Sequence, residues 1–157
     1  MRIIVISDSH SDYSSIETVL IKHPDISNII FLGDGLRDID RVFEKYPDRR
    51  FLCVSGNCDF DINTPNTRLE EFGSRKFLIT HGHAFSVKSG LLNISLAGKE
   101  RGCDAVLFGH THTPTIDLFE GMYLINPGSV GGKNTDRKTY AIIDITDKGL
   151  VPNIIEV

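Results

Sequence analysis

Short apolar runs, each ended by a polar or glycine-bearing step, recur along the chain at Ile3–Ile6, Ile29–Leu32, Phe51–Val54, Phe77–Ile79 and Ala105–Phe108. They are continuous rather than alternating and rich in Ile, Val, Leu and Phe, which predicts strands buried on both faces. Between the first two, Ile16, Val19, Leu20 and His23 follow i, i+3, i+4, i+7 spacing. That spacing predicts a helix, with Ser11 or Asp12 able to cap it and Pro24 ending it. Ile39, Val42, Phe43 and Tyr46 repeat the pattern before Pro47. Strand, helix, strand, helix, strand in that order predicts a parallel βαβαβ unit with right-handed crossovers.

Further on, Arg68 to Thr80 reads as a hairpin turning at Gly73-Ser74, and Lys88 to Arg101 as a less regular helix ended by Gly102. Thr115 to Phe119, a Glu120-Gly121 turn, Tyr123 to Asn126, Thr139 to Ile145 and Val151 to Val157 are strand-like. They predict a second, more antiparallel sheet closing an α/β fold. A length of 157 residues with 40% hydrophobic content fits one domain, 1–157.

Charge and targeting signals narrow the partners. The formal net charge is −4 and the 17 Lys and Arg are scattered, which leaves no basic stripe for extended nucleic-acid binding. The apolar start, Met1 to Ile6, is too short for a signal peptide and is interrupted at Ser7-Asp8-Ser9-His10. With no transmembrane segment or heptad repeat, the expectation is a cytoplasmic protein with no membrane partner, free to form a homo-oligomer. Cys53, Cys58 and Cys103 are odd in number and lack CxxC spacing, so no disulfide is predicted.

Candidate chemistry sits where the apolar runs end. Asp8-Ser9-His10, Gly33-Asp34, Gly56-Asn57, Thr80-His81-Gly82 and Gly109-His110-Thr111-His112 each follow a predicted strand. In an open α/β sheet, ligands gather outside the carboxyl ends of the strands, so these groups should converge on one edge. His and carboxylate donors suit first-row divalent cations. A lone Asp-x-His is weak evidence; two histidines one residue apart after a buried strand are stronger, and all five groups in order are hard to explain by chance. Two cations about 3.5–4 Å apart, bridged by one carboxylate, clamp both oxygens of an in-line phosphoryl displacement. Asp34 is the best candidate for that bridge.

These motifs resemble those of the calcineurin-like metallophosphoesterases, whose signature is D-x-H, G-D, G-N, a single His and G-H-x-H, and the resemblance runs essentially end to end. Gly56-Asn57-Cys58-Asp59, Thr80-His81-Gly82-His83 and Asn126-Pro127-Gly128-Ser129 look like the YfcE-type phosphodiesterases of that superfamily. The resemblance implies a four-layer α/β/β/α sandwich with two mixed β-sheets. It also implies one metal held by Asp8, His10, Asp34 and His112, and a second by Asp34, Asn57, His81 and His110. The mixed oxygen and imidazole set favours manganese, with nickel, zinc, iron or cobalt as alternatives, over a structural cysteine site. The implied reaction is hydrolysis of a small phosphodiester by a metal-bridging hydroxide, with Asp34 and Asn57 taking part.

One position departs from the pattern. Many superfamily members carry a proton-donating His directly after the G-N asparagine, where this chain has Cys58. A thiol is a poorer donor than imidazole, and the plainer reading is a small, semi-buried residue with no chemical task. His83, two residues beyond His81, is the candidate substitute, with a supporting or surface role as the alternative. Asp59 resembles the acidic partner that orients the missing His; without that His it has no assigned function, a solvated loop carboxylate is an adequate alternative, and the site does not include it. The Asn126 to Ser129 turn offers backbone amides to a phosphate oxygen or is an ordinary turn. His23 reads as a helix C-terminal residue, and Gly131-Gly132-Lys133 lacks the rest of a phosphate-binding loop.

No Arg or Lys lies within the ligand motifs, which suits a monoanionic diester better than a monoester dianion. Two alternatives stand beside that reading. One is a phosphomonoesterase of the same fold. The other is a non-catalytic protein-binding scaffold resembling the retromer subunit, against which the full set of ligand-competent side chains argues.

Overall fold

The computed structural model describes residues 1–157. Its elements run β1 (Arg2–Ile6), α1 (Tyr13–Lys22), β2 (Asn28–Phe31), α2 (Leu36–Lys45), β3 (Arg50–Cys53), β4 (Thr67–Phe72) and β5 (Arg75–Thr80). They continue with α3 (Leu92–Glu100), β6 (Ala105–Leu107), β7 (Thr115–Phe119), β8 (Met122–Asn126), β9 (Thr139–Thr146) and β10 (Gly149–Glu156). Short 3₁₀ turns at His83–Phe85 and Val87–Ser89 precede α3.

The expected βαβαβ unit is present: β1 pairs in parallel with β2, and β2 with β3. Two five-stranded sheets result, ordered β10-β9-β1-β2-β3 and β4-β5-β6-β8-β7. Three separate apolar clusters account for the layering. Ile3, Val5, Phe77 and Ile125 pack between the sheets. Ile4, Ile6, Ile16 and Leu20 join α1 and α2 to the outer face of the first sheet. Leu78, Ile94 and Val106 join α3 to the outer face of the second. Three interfaces make four layers, α/β/β/α, with both sheets mixed. No helix is long and apolar enough to cross a membrane.

The structure differs from the sequence pattern at three places. The four C-terminal strands do not form the second sheet together: β7 and β8 enter it, while β9 returns to pair antiparallel with β1 and brings β10 with it. The second sheet is built around parallel β5, β6 and β8 instead. β3 ends the first sheet and is only half-buried, because an edge strand has no partner on one side. On α2 the buried positions are Asp38, Ile39 and Val42, while Phe43 is 52% exposed. The helix is rotated to bring a carboxylate under the sheet edge.

At the start of α1, Asp12 is the N-cap, accepting from the Ser15 amide at 3.2 Å and from the Ser14, Ser15 and Lys138 side chains. Burial pushes its pKa up, but Lys138 and the serines outweigh it and hold the carboxyl well below the ordinary range. Asp12→Ala should cost about 1 kcal/mol and lower Tm by about 2–4 °C in thermal denaturation. Because the folded pKa is depressed, this stabilisation is present above the unfolded carboxylate pKa. The gap between variant and wild type should therefore close as pH falls below it.

Candidate metal centre

Every predicted ligand lies just beyond a strand. Asp8 and His10 follow β1, Asp34 follows β2, Asn57 follows β3, His81 follows β5, and His110 and His112 follow β6. Five of them have left-handed backbone: Asp8 (φ 56°), His10 (46°), Asp34 (60°), His110 (68°) and His112 (59°). Such conformations cost a non-glycine residue on the order of 1 kcal/mol or more each and persist only where neighbours enforce them. The neighbours here are other ligand loops. Asp8 N–H donates to Gly33 O at 3.0 Å, His10 N–H to Asp34 O at 3.1 Å, and Gly109 N–H to His81 O at 3.0 Å. Gly56 lies against Asp34 so closely that a Cβ there would sit 2.1 Å from Asp34 Oδ1, which forbids any larger residue.

Six of the seven candidates fall into two adjoining donor groups, each with its ligand atoms within 4.8 Å of one another: Asp8, His10 and His112; and Asp34, His81 and His110. Asp8 Oδ1 is 3.1 Å from His112 Nε2 and 3.7 Å from His10 Nε2. Asp34 Oδ2 is 3.5 Å from His81 Nε2 and 3.8 Å from His10 Nε2, so this one oxygen faces both groups. Asn57 is exposed beside them, with its amide nitrogen 3.4 Å from Cys58 Sγ.

The donor atoms are aimed by bonds on their far sides. His81 Nδ1 donates to Leu32 O at 2.7 Å and His112 Nδ1 to Lys133 O at 2.6 Å, which turns each Nε2 lone pair inward. Asp8 Oδ2 accepts from Ser7 Oγ and the His110 amide, leaving Oδ1 for the site. Asp8 Oδ1 and His81 Nε2 are fully buried and have no hydrogen-bond partner. A buried polar atom left unpaired costs about 1–3 kcal/mol, and two facing one point fit a cation between them. The residues present therefore fit divalent metal.

Titration follows from the same packing. Burial would lower His81, but the Asp34 and Asp8 carboxylates outweigh it and raise its pKa. Asp8 raises His112 against the effect of burial. Burial, then the charges of His81 and Lys88, push His110 down to about 4. In the metal-free protein, protons held on His81 and His112 must leave before either can ligate. Manganese titration by calorimetry in two buffers should therefore show proton release at neutral pH, with affinity falling as pH drops below the raised His81 and His112 pKa values.

Several supporting residues were not visible in the sequence. Asp59 is no solvated loop carboxylate: it accepts from the amides of Asp34 (2.7 Å), Gly35 (2.9 Å), Leu36 (2.9 Å) and Gly56 (2.8 Å). It thereby fastens the Asp34 loop to the Asn57 loop and caps α2, whose own N-cap, Gly35, has no side chain to do so. Buried Asp38 accepts from Ser9 Oγ at 2.6 Å and Ser11 N–H at 3.0 Å, tying α2 to the Asp8–His10 loop. The Asn126 to Ser129 turn is likewise internal. Asn126 Nδ2 donates to Gly109 O and Thr111 Oγ1, Gly128 N–H to Asn126 Oδ1, and Ser129 Oγ to Asp8 O. The Gly128 amide and Ser129 hydroxyl are spent on holding ligand loops, not on phosphate.

Cys58 is exposed rather than semi-buried, and its thiol joins His10 and Asp34 in a third donor group within 4.8 Å. Burial of the sulfur and the Asp34 charge raise its pKa, which keeps it a thiol at neutral pH. His83 stands at the cluster, its ring 5.4 Å from that of His81 and 6.1 Å from that of His110, with Nδ1 buried and unpaired. Lys88 and Lys133 lie outside every ligand motif, yet their charges reach His110 and His10. His23 is the C-cap of α1 and bonds Tyr140 Oη at 2.7 Å, away from the site.

A family model for the calcineurin-like phosphoesterase superfamily domain matches residues 1–148. The Bacillus subtilis protein named Probable metallophosphoesterase YsnB is 34% identical over 148 residues, covering 92% of this chain and 85% of its own. Among solved structures, one described as a predicted phosphoesterase from Streptococcus pneumoniae has a TM-score of 0.84 at 28% identity, covering 99% of this chain and 88% of its own. A novel archaeal phosphodiesterase has a TM-score of 0.82 at 25% identity over the whole of both chains.

Proposed function

The chain belongs to the calcineurin-like phosphoesterase superfamily, and from that membership we propose that it hydrolyses small phosphodiesters with a pair of divalent cations, manganese first among them. The observation that carries this reading is the pair of adjoining donor groups with Asp34 Oδ2 facing both. That is the placement a bridging carboxylate needs. Asp8, His10 and His112 would hold one ion, and Asp34, His81 and His110 the other, with Asp34 shared. Asn57, next to Cys58 on the loop after β3, would complete the second set and steer a substrate oxygen. The chemistry such ions supply is Lewis acidity, which lowers the pKa of water toward neutrality and offsets phosphoryl charge.

The chain's own residues do the rest. Nδ1 bonds from His81 and His112 to backbone carbonyls turn each Nε2 toward the site, so that it can ligate once its proton has left. Diester over monoester is favoured because no Lys or Arg pairs with Asp8 or Asp34. Lys88 and Lys133 influence the site only at longer range. His83, whose ring stands beside those of His81 and His110, would donate to the departing oxygen. Burial lowers its pKa, so the protonated fraction is small at neutral pH and grows as pH falls. His83→Gln should slow alkyl-leaving diesters by about tenfold or more while changing nitrophenyl esters little, since a nitrophenolate needs no proton. Equal losses on both would assign His83 to structure instead.

The test is metal-free protein with manganese restored, assayed in parallel on bis-p-nitrophenyl phosphate and p-nitrophenyl phosphate. Manganese-dependent cleavage favouring the diester is the expected result. Cleavage favouring the monoester would replace the substrate assignment. No turnover with any transition ion by a folded protein would leave the scaffold reading.

A further inference from the structure

A groove of about 560 Å³ leads away from the donor groups. Its mouth is formed by His10, Cys58 and the almost wholly buried Asp34, and it runs between the first turns of α2 and the segment 59–64. Ile39 and Cys53 give it an apolar wall. Phe60 stands on its edge 92% exposed, with no aromatic or cationic partner for its ring. That ring face is open to a ligand entering the groove.

Several of the groove's carboxylates are already engaged. Asp34 belongs to the donor groups, Asp38 is bonded to Ser9 and Ser11, and Asp59 to four backbone amides. Asp40 and Asp61 remain. Asp40 takes part in no ion pair or side-chain hydrogen bond, and Asp61 accepts only from the Asn63 amide and the Thr64 hydroxyl of its own turn. Against them stands Arg37, exposed and also unpaired, three residues from Asp40 on α2. Lys133 adds a second positive charge that reaches His10 and Cys58 at the mouth. The neutral donors to Asp38 and Asp59 leave those carboxylates charged, so four carboxylates face two cations and the groove keeps a negative excess. A second phosphate or a polynucleotide strand would be repelled from it, whereas a cation meets carboxylate and an open ring face together.

We propose that this groove is the subsite for one ester arm of the substrate, and that this arm carries a positively charged amine or quaternary ammonium group. Phe60 supplies the π face, and Asp40 and Asp61 the counter-charge. A groove of this volume accommodates an arm of choline size with room for water. The proposal rests on the phosphodiesterase reading above and sharpens it to a substrate class: phosphodiesters of amino alcohols.

Manganese-loaded protein assayed on two esters with the same leaving group tests it. One is p-nitrophenyl phosphorylcholine; the other is its uncharged carbon isostere, 3,3-dimethylbutyl p-nitrophenyl phosphate. The choline ester should be favoured in kcat/KM by about tenfold. Asp40→Asn and Phe60→Ala should each pull that ratio toward one, and Arg37→Gln should raise it, since removing an opposing cation deepens the negative excess. A wild-type ratio at or below one, with the isostere still cleaved, overturns the subsite and leaves the phosphodiesterase reading intact. A preference indifferent to Asp40, Phe60 and Arg37 also overturns it. Failure to cleave either ester overturns both.

Discussion

Asp34→Asn is expected to lower manganese-dependent diester turnover on the order of a thousandfold while leaving the protein folded. The substitution keeps the shape of the side chain, and an amide oxygen still accepts the Cys58 N–H that Asp34 Oδ1 accepts at 2.7 Å. What disappears is the negative Oδ2 placed between His10 and His81. An amide nitrogen there carries protons instead of a lone pair and cannot serve two cations. Burial pushes Asp34 up, but His81 and the Cys58 N–H outweigh it and hold the carboxyl well below its ordinary range, so it is ionised at neutral pH. Steady-state kinetics with metal analysis of the same preparations checks this. The variant should bind less metal as well as turn over slowly. Full metal content with near wild-type rates would remove Asp34 from the centre.

Asp59→Ala should be the most damaging change outside the ligands. Four amide bonds to one carboxylate are lost together, from the Asp34 and Asn57 loops and the first turn of α2. Charge-assisted bonds contribute more than neutral ones, but exposed amides regain water, so a net loss of about 3 kcal/mol is expected from denaturant unfolding. The Asp34 and Gly56 loops are then free to part. A displacement of about 1 Å at a reacting centre costs about 100-fold in rate, and activity should fall by that order even where the protein remains folded. Asp59→Asn, with one acceptor oxygen left, should recover part of both. A cost under about 0.5 kcal/mol, the range of an ordinary surface substitution, would return Asp59 to the solvent.

The convergence of the candidate ligand motifs is legible in the sequence because both signals are local. A run such as Ile3–Ile6 predicts a buried strand, and the polar group after it must then lie at a carboxyl edge. The supporting residues are linked by contacts between distant segments that no local pattern announces. Asp59 reaches Asp34 and Leu36, Ser129 reaches Asp8, and Asn126 reaches Gly109. The destination of β9 was hidden for the same reason. Its composition is that of any buried strand, and only its pairing with β1 sends it to the first sheet. On α2 Ile39 and Val42 are buried and Tyr46 packs against the same core, as the pattern predicts; Phe43 turns outward, and Asp38, bonded to Ser9, is buried instead. Asp38 sits at a position that hydrophobic periodicity assigns to solvent.

Whether two cations share Asp34 is decided by electron paramagnetic resonance of metal-free protein loaded with two equivalents of manganese. Two ions bridged at about 3.5–4 Å give an exchange-coupled spectrum, with hyperfine lines at half the spacing of an isolated ion. The coupled spectrum should appear in the wild type and be lost in Asp34→Asn. A six-line spectrum of isolated manganese at full loading of the wild type would contradict the shared centre.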